Sequence, residues 1–178
     1  MGSIEAITKV AAPSSQKTTS INLIEPNFAK LRDLLAAKKW IEANLETSNV
    51  MLSIACPTKG RWLDCESIKR ISCEDFYIID KLWSDYSNGR FGFSAQKFIW
   101  KSVNGNADKF GNLVGWRVNN SWIKYSQFTF SLDAPQGHLP HYLELLGFVW
   151  KSGWLGDYWD GDLKRINTLV SRLENCHI

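Results

Sequence analysis

A chain of 178 residues with 44% hydrophobic and 22% charged residues has the composition of one ordinary globular domain. Its longest apolar runs fall far short of the ~18 residues that a membrane-spanning helix needs, so no integral membrane segment is expected. A net charge of +3, with basic residues scattered among acids, gives counterion release little to work on and argues against nucleic acid as a partner. Tryptophan is the outlier, nine residues beside nine Phe and five Tyr. Most of these rings are assigned to the core, and the remainder offer flat faces to a ligand.

Residues 1–24 are rich in Ser, Thr, Ala and Lys without helical period and are expected to form a disordered arm. From Pro26 the spacing of Phe28, Leu31, Leu34 and Leu35 predicts a helix. A second follows through Trp40, Ala43, Thr47, Val50, Met51 and Ile54, stopped by Pro57 and a Lys59-Gly60 turn, and the two form a helical hairpin. Ser72 reads as the N-cap of a third, with Phe76, Ile79, Leu82, Trp83 and Tyr86 on one face and Asn88-Gly89 as its end. Phe93 to Val103 is the next, expected to turn Phe98 and Ile99 inward and to stop at Asn104-Gly105. Asp108 to Val114 adds a turn of helix, and Gly115 to Phe130 is either a small hairpin or an irregular aromatic loop. Tyr142 to Trp150 suits a short helix, and a Gly-rich stretch leads to a last helix carrying Leu163, Ile166, Leu169, Val170 and Leu173. The fold class is all-α, a mainly helical bundle with one aromatic-rich, loop-built face. Its parts are the arm over 1–24, a helical domain over 25–150, and a connector with C-terminal helix over 151–178 packed on or extending that domain.

Motifs for enzymatic chemistry are incomplete. GFSAQ has Gln96 where a nucleophile elbow needs Gly, so Ser94 is read as a helix-starting residue. Asn104, Asn106 and Asp108 have the spacing of a calcium loop, but Lys109 and Gly115 occupy its Gly and Glu positions. Asp157, Asp160 and Asp162 lie among glycines and read as a solvated turn. GRFGF lacks the Lys-Ser/Thr of a phosphate-binding loop. Cys56, Cys65, Cys73 and Cys176 form no CxxC pair and, with no secretory signal before them, are read as reduced thiols; no metal site is legible.

Three blocks in one order carry a resemblance: SNGRFGFS at Ser87 to Ser94, GWR at Gly115 to Arg117 with Trp122 after it, and APQGHLP at Ala134 to Pro140. Together they resemble the tetrapyrrole-binding "genomes uncoupled four" domain of oxygenic phototrophs, over about Phe28 to Pro140. The resemblance implies a cupped helical domain that is not an enzyme, holds protoporphyrin IX or Mg-protoporphyrin IX, and stimulates the large porphyrin-binding subunit of magnesium chelatase in chlorophyll synthesis. It also implies a cyanobacterial cytoplasm or a plastid stroma, with peripheral membrane contact left open.

A tetrapyrrole is a flat apolar disc with propionates on one edge, so its receptor needs ring walls and rim cations. Phe91, Phe93, Trp116, Trp122 and Phe130 are the candidate walls, and Arg90, Arg117 and Lys124 the candidate propionate partners. His138 is open to two readings, a ligand contact or a hydrogen bond that pins its loop. By similarity, Trp122 matches a ring of the porphyrin site, Ile68 an apolar wall, and the stretch after Pro140 a loop over the ligand. That stretch departs from the family pattern: it reads HYLELLG, with Leu143 and Leu146 where Asn and the first of two Arg are usual, and it lacks both cations. Asn44 likewise stands where Asp is usual. Two alternatives follow: an interaction or signalling domain of the same fold without the porphyrin site, or a receptor for a bilin or another apolar ligand.

Overall fold

The computed structural model describes residues 28–56, 63–141 and 159–178. The arm, Pro26, Pro57 with the Lys59-Gly60 turn, the Tyr142 to Trp150 helix, Leu143, Leu146 and Asp157 lie outside the described residues. Helices dominate: α1 (Phe28–Ala36), α2 (Trp40–Ala55), α3 (Cys65–Arg70), α4 (Cys73–Ser87), α5 (Phe93–Ser102), α6 (Ala107–Val114) and α7 (Trp159–Asn175). Among the described residues, the strands are β1 (Arg117–Val118) and β2 (Ser121–Trp122), an antiparallel pair with Arg117 opposite Trp122. The all-α expectation holds.

Local chemistry sets most boundaries. The Ser72 hydroxyl accepts from the Asp75 N–H at 3.0 Å, and Asn88 closes α4 in the left-handed region at φ 56°. Asn106, a residue of the incomplete calcium loop, accepts from the Lys109 N–H at 2.9 Å and so caps α6. Asn119 and Asn120, both at positive φ, make the two-residue turn of the hairpin, so Gly115 to Phe130 holds both alternatives, a small hairpin over 117–122 and an aromatic loop after it. A short 3-10 turn, Tyr125–Gln127, and a run of loop follow it.

α1 pairs with α2 and α4, while α7 packs on α3, α5 and α4. At the centre Trp40, Trp83 and Phe91 form a triangle of rings with centroids 5.6 to 6.2 Å apart, and Trp83 donates its indole N–H to Thr47 Oγ1 at 2.9 Å. A second aromatic row, Trp100, Phe110 and Trp116, runs edge to face under α7, whose Ile166, Leu169, Val170 and Leu173 are buried.

Three expectations are corrected. Phe98 is 69% exposed, and Ile99 alone of that pair turns inward. Asp160 and Asp162 lie in the first turn of α7 and not in a solvated turn, since the helix begins ahead of Gly161. Cys73 and Cys176 are not reduced thiols: a disulfide joins them, with Cα atoms 5.2 Å apart, and Cys56 and Cys65 take part in no disulfide. The sequence separation of 103 between the two partners hid the pairing from any reading of spacing.

Candidate functional site

The loop after α4 and the APQGHLP segment are built into each other. Gly92 N–H donates to Leu139 O at 3.0 Å, Gly137 N–H to Arg90 O at 2.8 Å, and Arg90 Nε–H to Ala134 O at 2.7 Å. Gln96, buried on α5, gives its amide to Gly137 O and Pro140 O at 3.0 and 2.9 Å. Gly92 sits at φ 118° with Asp80 Oδ1 only 2.7 Å from where a Cβ would lie, so no side chain fits there. That same Asp80 oxygen accepts from Ser94 N–H at 2.8 Å at the start of α5. Burial is the first cause of its raised carboxyl pKa, opposed by the Ser94 hydrogen bonds.

His138 pins its loop. One ring nitrogen, Nδ1, lies 2.6 Å from Val114 O, and the other, Nε2, accepts from Thr129 N–H at 3.2 Å. This pairing requires the neutral ring with its proton on Nδ1, consistent with a pKa lowered by burial. Both nitrogens are thereby committed to the backbone.

Around it stands an aromatic cluster. Trp116 meets His141 edge-on at 4.6 Å and donates its indole N–H to His138 O at 2.8 Å. Phe128 lies 4.9 Å from His138 and 4.4 Å from His141, and Tyr125 and Phe130 extend the row, 5.1 Å apart. Asn44 of α2 reaches into this cluster. Its Oδ1 accepts from His141 N–H at 2.6 Å, and its Nδ2 donates to His141 O at 3.1 Å and to Tyr125 Oη at 3.2 Å. One buried amide thus grips both backbone polar groups of His141.

The sequence-predicted residues divide into two sets. Phe91, Phe93 and Ile68 are fully buried: Phe91 against Trp40 and Trp83, Phe93 against Phe76, and Ile68 on α3. Trp116 and His138 are buried too, as the inner layer of the aromatic cluster. Arg90 is exposed and bonded to its loop carbonyl. Trp122, Phe130 and Arg117 are half-buried and Lys124 is exposed, so these four lie at the surface of the loop face. Arg117 has local partners in Asn120 Oδ1 at 3.0 Å and Asn112 Oδ1 at 3.4 Å; its Nε is 3.3 Å from Asp108 without the alignment of a hydrogen bond.

Trp122 owes its position to a glycine. A Cβ on Gly111 would lie 2.5 Å from the edge of the Trp122 indole and 3.1 Å from Arg117 Cβ, so the ring rests directly on the α6 backbone. Alanine normally gains about 1 kcal/mol over glycine inside a helix. Here it must displace the indole, and Gly111→Ala is expected to lose about 1 to 2 kcal/mol net. Urea unfolding checks this; a stabilised variant would show that the indole yields freely.

Sequence reasoning missed Tyr125, Phe128, His141, Gln96 and the grip of Asn44. The signal for the first three was present, as rings alternating with polar residues in a Gly- and Pro-rich stretch. For Gln96 and Asn44 nothing local marks the role, because their partners lie 41 to 97 residues away. Among the described residues no group of three or more His, Cys, Asp or Glu could hold a metal ion, and no helix is long and apolar enough to cross a membrane.

Fold and site together define a small helical domain whose specialised surface is an aromatic, loop-built face braced by buried polar side chains. The family described as GUN4-like matches residues 22–157, and the chain belongs to that family. It is 38% identical over 136 residues to an uncharacterized protein ycf53 of Cyanidium caldarium, covering 74% of this chain and 57% of the relative. It is 30% identical over 125 residues to a protein of Arabidopsis thaliana named tetrapyrrole-binding protein, chloroplastic, covering 64% of this chain and 47% of that one. The chain spans about half the length of the curated relatives it matches. Among solved structures, ligand-free GUN4 of Arabidopsis thaliana superposes with a TM-score of 0.63 at 26% identity, covering 82% of this chain and 94% of that one. GUN4 of Chlamydomonas reinhardtii gives 0.63 at 27% identity, over 89% and 93%.

Proposed function

We propose that this chain binds a tetrapyrrole, protoporphyrin IX or Mg-protoporphyrin IX, without covalent attachment, and serves magnesium chelatase as a non-enzymatic accessory. The observation that supports it is the loop face itself. Half-buried rings at Trp122, Tyr125 and Phe130 suit the flat apolar disc, and Lys124 and Arg117 beside them suit its propionates. On this reading Phe91, Phe93, Ile68, Trp116 and His138 act by shaping and stiffening the support behind that surface. Leu143 and Leu146, the apolar residues of the HYLELLG stretch, would make the ligand's surroundings more apolar on this reading. The large porphyrin-binding subunit of the chelatase is the protein partner that this reading names.

The test is a titration with a soluble porphyrin, with and without magnesium, followed by quenching of tryptophan fluorescence and the shift of the porphyrin's main absorption band. Saturable micromolar binding is expected, and Trp122→Ala should weaken it on the order of tenfold while the variant still melts cooperatively. Absence of saturable binding would sink the proposal. One observation favours a second reading, an interaction domain of the same fold: Arg90 and His138, central to the shared motifs, are spent on holding the loop. That reading expects no tetrapyrrole binding and a Trp122→Ala variant without a ligand phenotype.

A further inference from the structure

The C-terminal helix packs on α3, α5 and α4 through a buried apolar stripe, and one of its ties to the domain is reversible. α7 belongs to the described chain through residues 142–158 alone in sequence, and it returns to pack on α3 and on the aromatic row of Trp100, Phe110 and Trp116. Its apolar stripe, Ile166, Leu169, Val170 and Leu173, lines a narrow gap together with Phe93, Trp100, Phe110 and Trp116. Its polar ties include Arg172 Nη2–H to Ile71 O at 2.7 Å and the ion pair Lys101–Glu174 at 2.7 Å. Both members of that pair are largely exposed, so it contributes little. A further tie is covalent, Cys73 at the first turn of α4 bonded to Cys176 just past the end of α7.

The position of this bridge matters more than its presence. The closed ring runs from 73 to 176 and contains α4, α5, α6, the hairpin and the whole aromatic cluster. Trp116 belongs to both faces: one side meets His141 and Phe128 in the candidate site, and its ring also lines the gap beneath α7. α7 is therefore the backing of the wall that carries the site. Cys73 is exposed and Cys176 partly so, which gives a reductant access.

We infer that Cys73–Cys176 is a redox modification site, a clasp that a dithiol reductant opens to release α7 from the wall behind Trp116 and so weaken ligand holding. The chemistry is thiol–disulfide exchange. One thiolate of the dithiol attacks Cys176 Sγ, the S–S bond breaks, and Cys73 leaves as a thiolate that takes up a proton. The second thiol of the reductant then attacks the mixed disulfide, freeing Cys176 as a thiol. Two electrons and two protons pass to the protein, and the dithiol becomes a cyclic disulfide. The last clause of the inference, and only that clause, rests on the tetrapyrrole reading.

The experiment compares the full chain oxidised, reduced with dithiothreitol, and reoxidised, beside Cys73→Ser and Cys176→Ser. Maleimide labelling should find two thiols in the oxidised protein, Cys56 and Cys65, and four after reduction. Reduction should speed amide exchange at Ile166, Leu169, Val170 and Leu173 at least tenfold, lower Tm by about 10 °C, and reverse on reoxidation. Both serine variants should match the reduced protein and ignore the reductant. A soluble porphyrin should bind several-fold more weakly to the reduced form. Four labelled thiols after oxidation, or α7 exchange indifferent to reduction, would overturn the clasp even if a serine variant failed to fold. If α7 loosens and porphyrin binds neither form, the clasp stands and the tetrapyrrole reading falls. Equal binding to both forms would overturn the coupling between clasp and site.

Discussion

Asn44→Ala is expected to destabilise the fold by about 3 kcal/mol and to free the segment that follows Pro140. Asn44 is fully buried and makes three hydrogen bonds, two of them to the backbone of His141 and one to Tyr125 Oη. Alanine removes the side chain and leaves the His141 N–H and C=O buried without their partner, each unsatisfied group costing about 1 to 3 kcal/mol. Water entering the space would recover part of that, which is why the expected total lies near the lower end. Asn49→Ala supplies the control, since Asn49 is exposed and its contact with Glu46 is long at 3.5 Å. Urea unfolding reads the stability, and amide exchange at His141 reads the local effect. Equal midpoints for Asn44→Ala and Asn49→Ala would show that the grip carries no net energy. Asn44→Asp separates the roles further: a carboxylate still accepts from His141 N–H but faces His141 O at 3.1 Å with no proton to donate. It is expected to be destabilising at neutral pH and to recover in part when the carboxyl is protonated.

The helices were legible because their evidence is local. Apolar spacing gave α1, α2, α4 and α7, and the Ser72, Asn88 and Asn104-Gly105 signals marked ends whose capping groups lie within four residues. Direction was less legible. Phe98 and Ile99 are adjacent, and successive helical residues point about 100° apart, so a narrow contact takes one and leaves the other in solvent. Trp116 and Arg117 show the same effect on extended chain, where alternate side chains face opposite ways: the indole is buried and the guanidinium reaches Asn120. Composition could say that most rings belong to the core, but which ones do so is settled by neighbours far along the chain. The disulfide is the extreme case, since two cysteines 103 residues apart carry no mark of each other. The site was legible as a list of motif residues and not as a division of labour, because the motif mixes residues that face outward with residues that hold the loop.

Acid should weaken this fold through His141. Its ring is buried between Trp116 and Phe128, its Nδ1 has no hydrogen-bond partner, and burial with a smaller repulsion from His138 depresses its pKa to about 3. The unfolded chain exposes the same ring at its ordinary value near 6.5. Below that pH the unfolded state binds a proton that the folded state refuses. The stability that His141 contributes is therefore complete above about pH 6.5 and is lost progressively as pH falls toward 3. At pH 5 the loss amounts to about 2 kcal/mol from this one residue, since each unit of displacement is worth about 1.4 kcal/mol. His138, also depressed by burial, adds to the same limb, whereas Asp80, raised by burial, opposes it as pH drops. Unfolding free energies measured from pH 8 to 4.5 should show a declining acid limb, and His141→Phe should flatten that limb by close to one proton. The phenyl ring keeps the edge-on contact with Trp116 and removes the unpartnered nitrogen, so the variant should hold its stability at pH 8. An unchanged slope in His141→Phe would mean that the ring takes up its proton inside the fold, and that the cluster around Trp116 opens to water well before the helices unfold.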